Sequence, residues 1–201
     1  MKFQTDLLFP TPVQIVDLEN KDLCVNTADL ILKKIPADFK SNLNTAFTTT
    51  DTLHLESSFE TIKNTVINLA EQYSTNVLGL EKDSLVLNAM WANVRKNYSK
   101  HHIHQHPNSF VSGVMYLQIP TDTELDTFFF VDPRPAKNMF HGIFEKESPI
   151  SNRSWWYTPK EGCVIMFPSW LEHGTDEFFS TTNNYRISLS FNLILKKFIR
   201  H

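Results

Sequence analysis

The sequence predicts a mainly β domain, a β-barrel or two-sheet jelly roll, with a layer of helices packed on one side. Two observations support this. In the first 80 residues, apolar positions recur at three- and four-residue spacing, as in amphipathic helices. From Ser84 onward, short apolar and aromatic runs follow one another and are separated by turn residues, as in residues 159–162. A helical half followed by an all-β half is typical of a sheet fold with helices outside it.

Length and composition fit one folded domain. The chain has 201 residues, which is enough to bury a sizeable core, and its 41% hydrophobic and 20% charged contents are ordinary. We therefore expect residues 1–201 to form a single domain. Residues 1–80 would supply a strand and supporting helices, and residues 81–201 would form the β core that carries the functional site.

Charge, cysteine content and the N-terminus exclude several classes of function. The net charge of -3 gives no electrostatic basis for nucleic-acid binding, so no nucleic-acid partner is expected. Cys24 and Cys163 lie far apart in the sequence, which predicts free thiols in a reducing compartment. The N-terminus does not resemble a signal peptide, and no apolar run is long enough to cross a bilayer. A cytoplasmic protein without a membrane partner is expected.

The first 80 residues predict one strand and two helices. Residues 7–16, with two prolines, predict a short edge strand. A first helix is predicted over residues 27–35, with Asn26 as its N-cap and Pro36 as its end. After a polar loop over residues 41–52, a longer helix is predicted over residues 58–77. The segment SSFE at its start fits a capping box, and its apolar stripe predicts packing on a sheet face.

The remaining residues predict strands and one long loop. Six strands are predicted, the second within residues 102–118 and the others over residues 85–94, 127–131, 154–158, 163–167 and 185–196. Residues 135–152 show no periodicity, and loops of this length inside a domain are often lids or binding loops. We therefore expect this loop to close over a substrate.

A histidine-rich segment, KHHIHQHP, precedes the second of these apolar runs. On an extended chain residues i and i+2 point to the same side, so His102, His104 and His106 are expected to face one way. Two of them could hold a metal ion, either His102 with His104 or His104 with His106. Pro107 fixes the backbone beside His106 and favours the second pair. His173, which follows the fifth predicted strand, is the candidate third ligand.

The type of ligand points to iron. Iron(II) enzymes that activate oxygen commonly use two histidines and one carboxylate, and leave other positions of the ion open. His104 and His106 keep the spacing of the usual His-x-carboxylate pair, but an imidazole replaces the carboxylate. Three neutral imidazoles bind iron and leave its charge uncompensated, which favours an anionic cosubstrate. Asp132 is the reserve carboxylate, and its alternative role is to cap the turn at Pro133.

The last predicted strand offers a site for such an anion. Arg186 and Ser188 point to the same side of the strand, thirteen and fifteen residues after His173. A guanidinium binds a carboxylate bidentately, and an adjacent hydroxyl adds a hydrogen bond. Ser190 and Asn192 continue this polar face, which either meets solvent or lines a wet cavity.

Two neighbouring predicted strands could add polar contacts to the same anion. Tyr116 offers a phenol on the strand after the histidines, and Asn93 offers an amide on the strand before them. Both lie on the sides of their strands that would match the polar face of the last strand.

Four segments, HIHQHPNSFVSGVMYL, FVDPRP, FPSWLEH and RISLSFN, in this order, resemble a family of 2-oxoglutarate- and iron(II)-dependent oxygenases of bacteria and their viruses. The segments LFPTPV and WAN also fit this family. The resemblance implies a double-stranded β-helix, a jelly-roll or cupin-like fold, with iron(II) and 2-oxoglutarate as cofactors. It implies that His104 and His173 bind the metal, and that Arg186 and Ser188 bind 2-oxoglutarate.

The resemblance also implies an oxidoreductase, a dioxygenase that uses molecular oxygen to hydroxylate a small molecule or a side chain. It leaves open whether His106, a water or a carboxylate such as Asp132 completes the metal shell. Two alternatives differ in class. One is a three-histidine iron dioxygenase that needs no cosubstrate, in which Arg186 holds the substrate itself. The other is a jelly-roll binding protein without catalytic activity.

Overall fold

The chain folds into two antiparallel β-sheets, and helices cover the outer face of the larger sheet. The computed structural model describes residues 1–41, 46–121, 127–134, 145–146, 148–177, 179–180 and 184–198. Its helices are α1 (Lys21–Leu32), α2 (Ala37–Ser41) and α3 (Glu60–Asn76), with 3-10 turns at Leu53–Leu55, Ser57–Phe59 and Lys196–Phe198. The strands in these ranges are β1 (Gln14–Asp17), β2 (Ala46–Thr48), β3 (Leu85–Arg95), β4 (His101–His104), β5 (Val111–Gln118), β6 (Phe128–Val131), β7 (Ser154–Tyr157), β8 (Cys163–Pro168), β9 (His173–Thr175) and β10 (Arg186–Leu195).

The strand order confirms the predicted fold class. The larger sheet has the order β1-β8-β5-β10-β3-β2, and the smaller sheet has the order β4-β9-β6-β7. From β3 to β10 the chain passes back and forth between the two sheets, which is the double-stranded β-helix arrangement of a jelly roll. β1 and β2 extend the larger sheet at its two edges, so the edge position predicted for the first strand is also confirmed.

Two apolar cores hold the layers together. One lies between the helices and the outer face of the larger sheet, where the apolar stripe of α3 is buried as predicted. The other lies between the two sheets. In β10 the apolar residues, such as Leu189 and Phe191, belong to the outer core. The alternate residues, which include Arg186 and Ser188, therefore point between the sheets.

The helix starts differ from the predictions. α1 begins at Lys21, and Asn20 caps it by accepting a hydrogen bond from the Leu23 N–H at 3.1 Å. The first turn of α1 begins with polar residues, so the apolar pattern did not predict where the helix starts. The predicted capping box is wrong, because a 3-10 turn precedes α3 and Phe59, which has no capping group, stands at its N-cap.

Two strand predictions also need correction. The segment 102–118, in which one strand was predicted, contains most of β4 and all of β5, which lie in opposite sheets. The chain turns between them, with Asn108 at a φ of 63°. β2 and β9 were not predicted, because three residues are too few to show a period. β2 lies within the segment that we predicted to be a polar loop.

Two expectations bear on regions beyond the sheets. In the predicted lid, residues 135–144 and 147 lie outside the described residues, so the lid remains a prediction. Within the described ranges, no helix combines the length and the apolar character that crossing a membrane requires.

Candidate metal centre and adjoining cavity

The β4–β9 ladder decides which histidines face the space between the sheets. His101 lies opposite Thr175 and His104 lies opposite His173, so three steps on β4 match two steps on β9. This mismatch is a β-bulge, which changes the side to which the following residues point. His101, His104 and His106 line the cavity between the sheets and His102 does not, and the His102 backbone carbonyl accepts the Nδ1–H of His104 at 2.7 Å. The expectation that His102 faces the same way as its neighbours is therefore wrong.

Three histidines converge at this end of the barrel. The candidate ligand nitrogens of His104, His106 and His173 all lie within 4.8 Å of one another. Nε2 of His106 lies 3.1 Å from Nε2 of His173. Two nitrogens that bind one ion at right angles, each at about 2.1 Å, are about 3 Å apart, so the spacing fits a shared ion.

Backbone contacts orient these rings. Nδ1 of His173 donates to the Leu171 carbonyl at 2.8 Å, and Nδ1 of His104 donates to the His102 carbonyl at 2.7 Å. With the proton on Nδ1, the lone pair of Nε2 is available to a metal. The hydrogen bond from Nδ1 to the carbonyl also fixes the direction in which the ring points. His106 lies beyond the end of β4, where its N–H donates to the Ser169 carbonyl at 3.0 Å. Its ring stacks on Trp91, with 5.8 Å between centroids.

Burial keeps two of the imidazoles neutral. The pKa of His173 is lowered to about 3 and that of His106 to about 4, mainly because burial disfavours the charged form. The neighbouring His104 lowers the pKa of both further by charge repulsion. A neutral imidazole keeps a lone pair for a metal at neutral pH. The donor set and its spacing therefore fit iron(II), a divalent ion that imidazole suits.

Asp132 serves the turn after β6. Its carboxylate accepts hydrogen bonds from the backbone N–H of Arg134 at 3.0 Å and from the Arg134 guanidinium at 2.8 to 3.1 Å. The described residues that converge as a candidate metal site are the three histidines, without Asp132.

A cavity joins the histidine cluster to the polar face of β10. Arg186, Ser188, Tyr116 and Asn93 all line it, and all four are buried, with at most 4% of each exposed. The structure thus brings all seven predicted site residues to one cavity. Of the two alternatives for the polar face of β10, solvent or a cavity, the structure shows the cavity.

The strand registers order this cavity into two levels. At the metal level, Ser190 lies opposite Trp91, which stacks on His106. Two residues earlier on β10, Ser188 lies opposite Asn93 on one side and Tyr116 on the other. We call this second position the inner level. It lies about 6.6 Å along the strand from the metal level.

Two positively charged side chains reach the inner level. The guanidinium of Arg186 lies over the Tyr116 ring, with its carbon 4.9 Å from the centroid. Arg95, the ladder partner of Arg186, donates from Nη1 to the Thr175 hydroxyl at 2.7 Å. Thr175 and His101 also line the cavity and were not predicted as site residues. Thr175 is two residues from His173 and shares its face, but this signal is visible only when β9 is known to be a strand.

A jelly roll in which three imidazoles and a buried arginine line one cavity fits the class of mononuclear non-haem metal proteins. Residues 89–192 match the family described as "Putative 2OG-Fe(II) oxygenase". The match spans more than half of the chain, and the chain belongs to this family. The predicted family, and iron(II) and 2-oxoglutarate as its cofactors, are therefore confirmed.

Solved structures share the fold. A Pseudomonas putida prolyl-4-hydroxylase aligns with a TM-score of 0.60 at 13% identity, over 90% of this chain and 92% of that one. HygX from Streptomyces hygroscopicus, with nickel and 2-oxoglutarate bound, aligns with 0.59 at 13% identity, over 92% and 83%. SnoN, a non-haem α-ketoglutarate-dependent epimerase from nogalamycin biosynthesis, aligns with 0.61 at 11% identity, over 92% and 78%. These relatives include a hydroxylase and an epimerase, so the shared fold leaves the reaction open. No curated protein sequence matches the chain.

Proposed function

We propose that the protein is a hydroxylase in which His104, His106 and His173 hold iron(II). The observation that carries this proposal is the cavity, which has three convergent imidazoles at one level and Arg186 with Ser188 at the inner level. His104 is exposed whereas His173 is buried. The ion would therefore face solvent on one side, from which oxygen and substrate can reach it.

The inner level suits the distal carboxylate of 2-oxoglutarate. Contact with the Tyr116 ring holds the Arg186 guanidinium in place, and a guanidinium with a neighbouring hydroxyl is a strong carboxylate site. Asn93 is itself fixed, because its amide oxygen accepts from Thr48 at 3.0 Å and its amide nitrogen donates to Ser190 at 3.2 Å. The separation of the two levels matches the two ends of a five-carbon dicarboxylate.

When bound, iron(II) and 2-oxoglutarate supply the oxidation: oxygen and 2-oxoglutarate are consumed, succinate and carbon dioxide form, and a C–H of the substrate becomes C–OH. The chain positions these reactants. The imidazoles fix the orientation of the centre, and Arg186 and Ser188 hold the cosubstrate by its far end. Phe128 and Phe167 pack on the His173 ring, with centroids 5.5 and 4.6 Å away, and exclude water from its inner side.

An anaerobic titration tests the metal ligands. Iron(II) is added to the metal-free protein, and bound iron is counted per chain. We expect one iron per chain in the wild type and its loss in His104→Ala and His173→Ala, because two imidazoles hold the ion far less tightly than three. His102→Ala removes an exposed ring and keeps the backbone carbonyl, so we expect it to bind iron normally. Loss of iron in His102→Ala would instead favour the His102 and His104 pair.

A second titration tests the cosubstrate. Adding 2-oxoglutarate without oxygen should produce the visible charge-transfer absorption of its iron chelate. We expect Arg186→Ala to weaken this binding by roughly tenfold or more, since a charge-assisted contact is lost in a buried site. Arg153→Ala, which removes an exposed arginine outside the cavity, is the matched control. Substrate screening with labelled oxygen gas then tests hydroxylation, because a hydroxylated product carries one labelled atom.

The same titrations separate the two alternatives. Iron binding without any 2-oxoglutarate spectrum, together with turnover that ignores 2-oxoglutarate, would support the cosubstrate-independent dioxygenase. A protein that binds no iron in the wild type would contradict the enzyme proposal and favour a binding protein.

A further inference from the structure

We propose that Thr175 is a further binding residue for the distal carboxylate of 2-oxoglutarate, and that Arg95 positions its hydroxyl group. This inference rests on the proposed function, because it requires 2-oxoglutarate to occupy the inner level. Thr175 is 6% exposed, lines the cavity and follows the candidate ligand His173 by two residues.

The hydrogen bonds of the Thr175 hydroxyl determine where its hydrogen can point. The oxygen accepts two bonds, from Nη1 of Arg95 at 2.7 Å and from the backbone N–H of His101 at 2.9 Å. A hydroxyl group has two acceptor lone pairs and one donor hydrogen. Both acceptor positions are filled, so the hydrogen must point away from both donors. In the described part of the chain, no group accepts a hydrogen bond from the Thr175 hydroxyl.

The hydrogen is therefore a buried donor beside the cavity. Buried donors without an acceptor are rare in folded proteins, so an acceptor is expected to enter from the cavity. A group that would fill this role must be an acceptor, and a carboxylate presents acceptors only.

The position of Thr175 matches the inner level on the opposite wall. Thr175 lies two residues along β9 from His173, and Ser188 lies two residues along β10 from Ser190. Each hydroxyl group thus lies two residues along its strand from a residue at the metal level, and both residues line the cavity between the two sheets. A carboxylate held by Ser188 would meet Thr175 from the other side.

Arg95 fixes the orientation of the Thr175 hydroxyl group. Its side chain is fully buried, and its Nε donates to the Ser99 hydroxyl at 3.0 Å while Nη1 donates to Thr175. A guanidinium is always charged and is only a donor, so it forces the Thr175 oxygen to act as the acceptor. Arg95 is also the ladder partner of Arg186. The distal carboxylate would thus meet one arginine directly and a second one through Thr175.

The test compares two keto acids on the iron-loaded protein without oxygen. One is 2-oxoglutarate, and the other is 2-oxovalerate, which has the same chain length but a methyl group in place of the distal carboxylate. Thr175→Val keeps the shape and removes the hydroxyl, whereas Thr175→Ser keeps the hydroxyl. Dissociation constants come from the charge-transfer absorption, so the readout is binding and not turnover.

We expect Thr175→Val to weaken 2-oxoglutarate about 10- to 100-fold, the effect of one charge-assisted hydrogen bond, and to change 2-oxovalerate less than about threefold. Thr175→Ser should stay within about threefold of the wild type for both acids. Equal weakening of both acids by Thr175→Val would mean a structural role only and would overturn the proposal, as would no weakening of either. If Thr175→Val does not fold, Thr175→Cys, whose thiol is a weak donor, should show the same selective loss for 2-oxoglutarate, and equal affinities would overturn the proposal.

The outcome for Thr175 is separable from that of the proposed function. If the wild type binds 2-oxoglutarate and Arg186→Ala abolishes this binding while Thr175→Val does not affect it, only the assignment of Thr175 fails. If the wild type shows no 2-oxoglutarate spectrum, the proposed function fails first.

Discussion

Gly174 joins the candidate ligand His173 to Thr175, and its replacement by alanine tests whether the β4–β9 ladder sets the metal geometry. A Cβ at Gly174 would lie 2.9 Å from the backbone carbonyl oxygen of His101 and 2.9 Å from Cζ of Phe129, whereas ordinary contacts begin at 3.4 Å. The Phe129 ring can rotate away, but the carbonyl belongs to β4. β4 must therefore move by about 0.5 Å, and His104 at its end moves with it.

This displacement exceeds the tolerance of a metal site, where ligand distances hold within about 0.2 Å. We expect Gly174→Ala to weaken iron(II) binding roughly 10- to 100-fold, as for other disturbed ligand supports, and to cost about 1–3 kcal/mol of stability by overpacking. Competition with a chromogenic chelator measures the affinity, and urea unfolding of the metal-free protein measures the stability.

Gly79→Ala is the matched control. Gly79 has a φ of +70°, and a Cβ there would have no atom within 4 Å. This variant should lose about 1 kcal/mol of stability through backbone strain and keep its iron affinity. If Gly174→Ala binds iron as tightly as the wild type, the β4–β9 ladder does not control the metal site.

Three further predictions follow from the site. Burial lowers the pKa of His101 and His106 to about 4 and that of His173 to about 3. As the pH falls from about 6.5 towards 4, the unfolded chain gains protons that the folded chain does not. The metal-free protein should therefore lose up to about 1.4 kcal/mol of stability per histidine and pH unit, and an unchanged urea midpoint between pH 7 and pH 5 would contradict this. Asp132→Asn should leave iron affinity within about threefold of the wild type by the chelator assay, since the amide oxygen can still accept in the turn; a larger loss would place this carboxylate in the metal shell. Trp91→Leu removes an aromatic contact worth about 0.5–1.5 kcal/mol, so iron affinity should fall about two- to tenfold, and an unchanged affinity would show that the stacking does not support the site.

The long strands of the larger sheet could be predicted because their periodicity is visible. β10 alternates polar and apolar residues over ten positions, and this pattern placed Arg186 and Ser188 together on one face. β9 has three residues and no visible period, so its existence and the location of Thr175 could not be predicted. The split of the predicted second strand into β4 and β5 depends on a turn that the apolar pattern does not mark.

The histidine cluster was predicted from same-face spacing on a single strand, and the structure shows that this spacing is not what brings the histidines together. Same-face spacing on one strand allowed His102 as well as His106 to pair with His104, but the bulge opposite β9 turns His102 away. His106 joins the cluster because the Ser169 carbonyl holds its backbone beyond the strand. A bulge and a contact between distant segments are tertiary features, and neither leaves a local pattern in the sequence. The contact between Arg95 and Thr175 joins residues 80 positions apart and is hidden for the same reason.

The strand lengths suggest a second role for the candidate metal centre. The smaller sheet is built from strands of three or four residues, whereas β3 and β10 span eleven and ten. Both cysteines are free, so no disulfide joins the two sheets. An ion shared by His106 and His173 would close a loop of 67 residues, as a covalent cross-link does. Because these ligands come together only in the folded chain, the binding energy of the ion would become folding energy for the smaller sheet. Bound iron would then stabilise the sheet with the shorter strands, and a chain that lost the ion would also lose part of the order that positions its ligands.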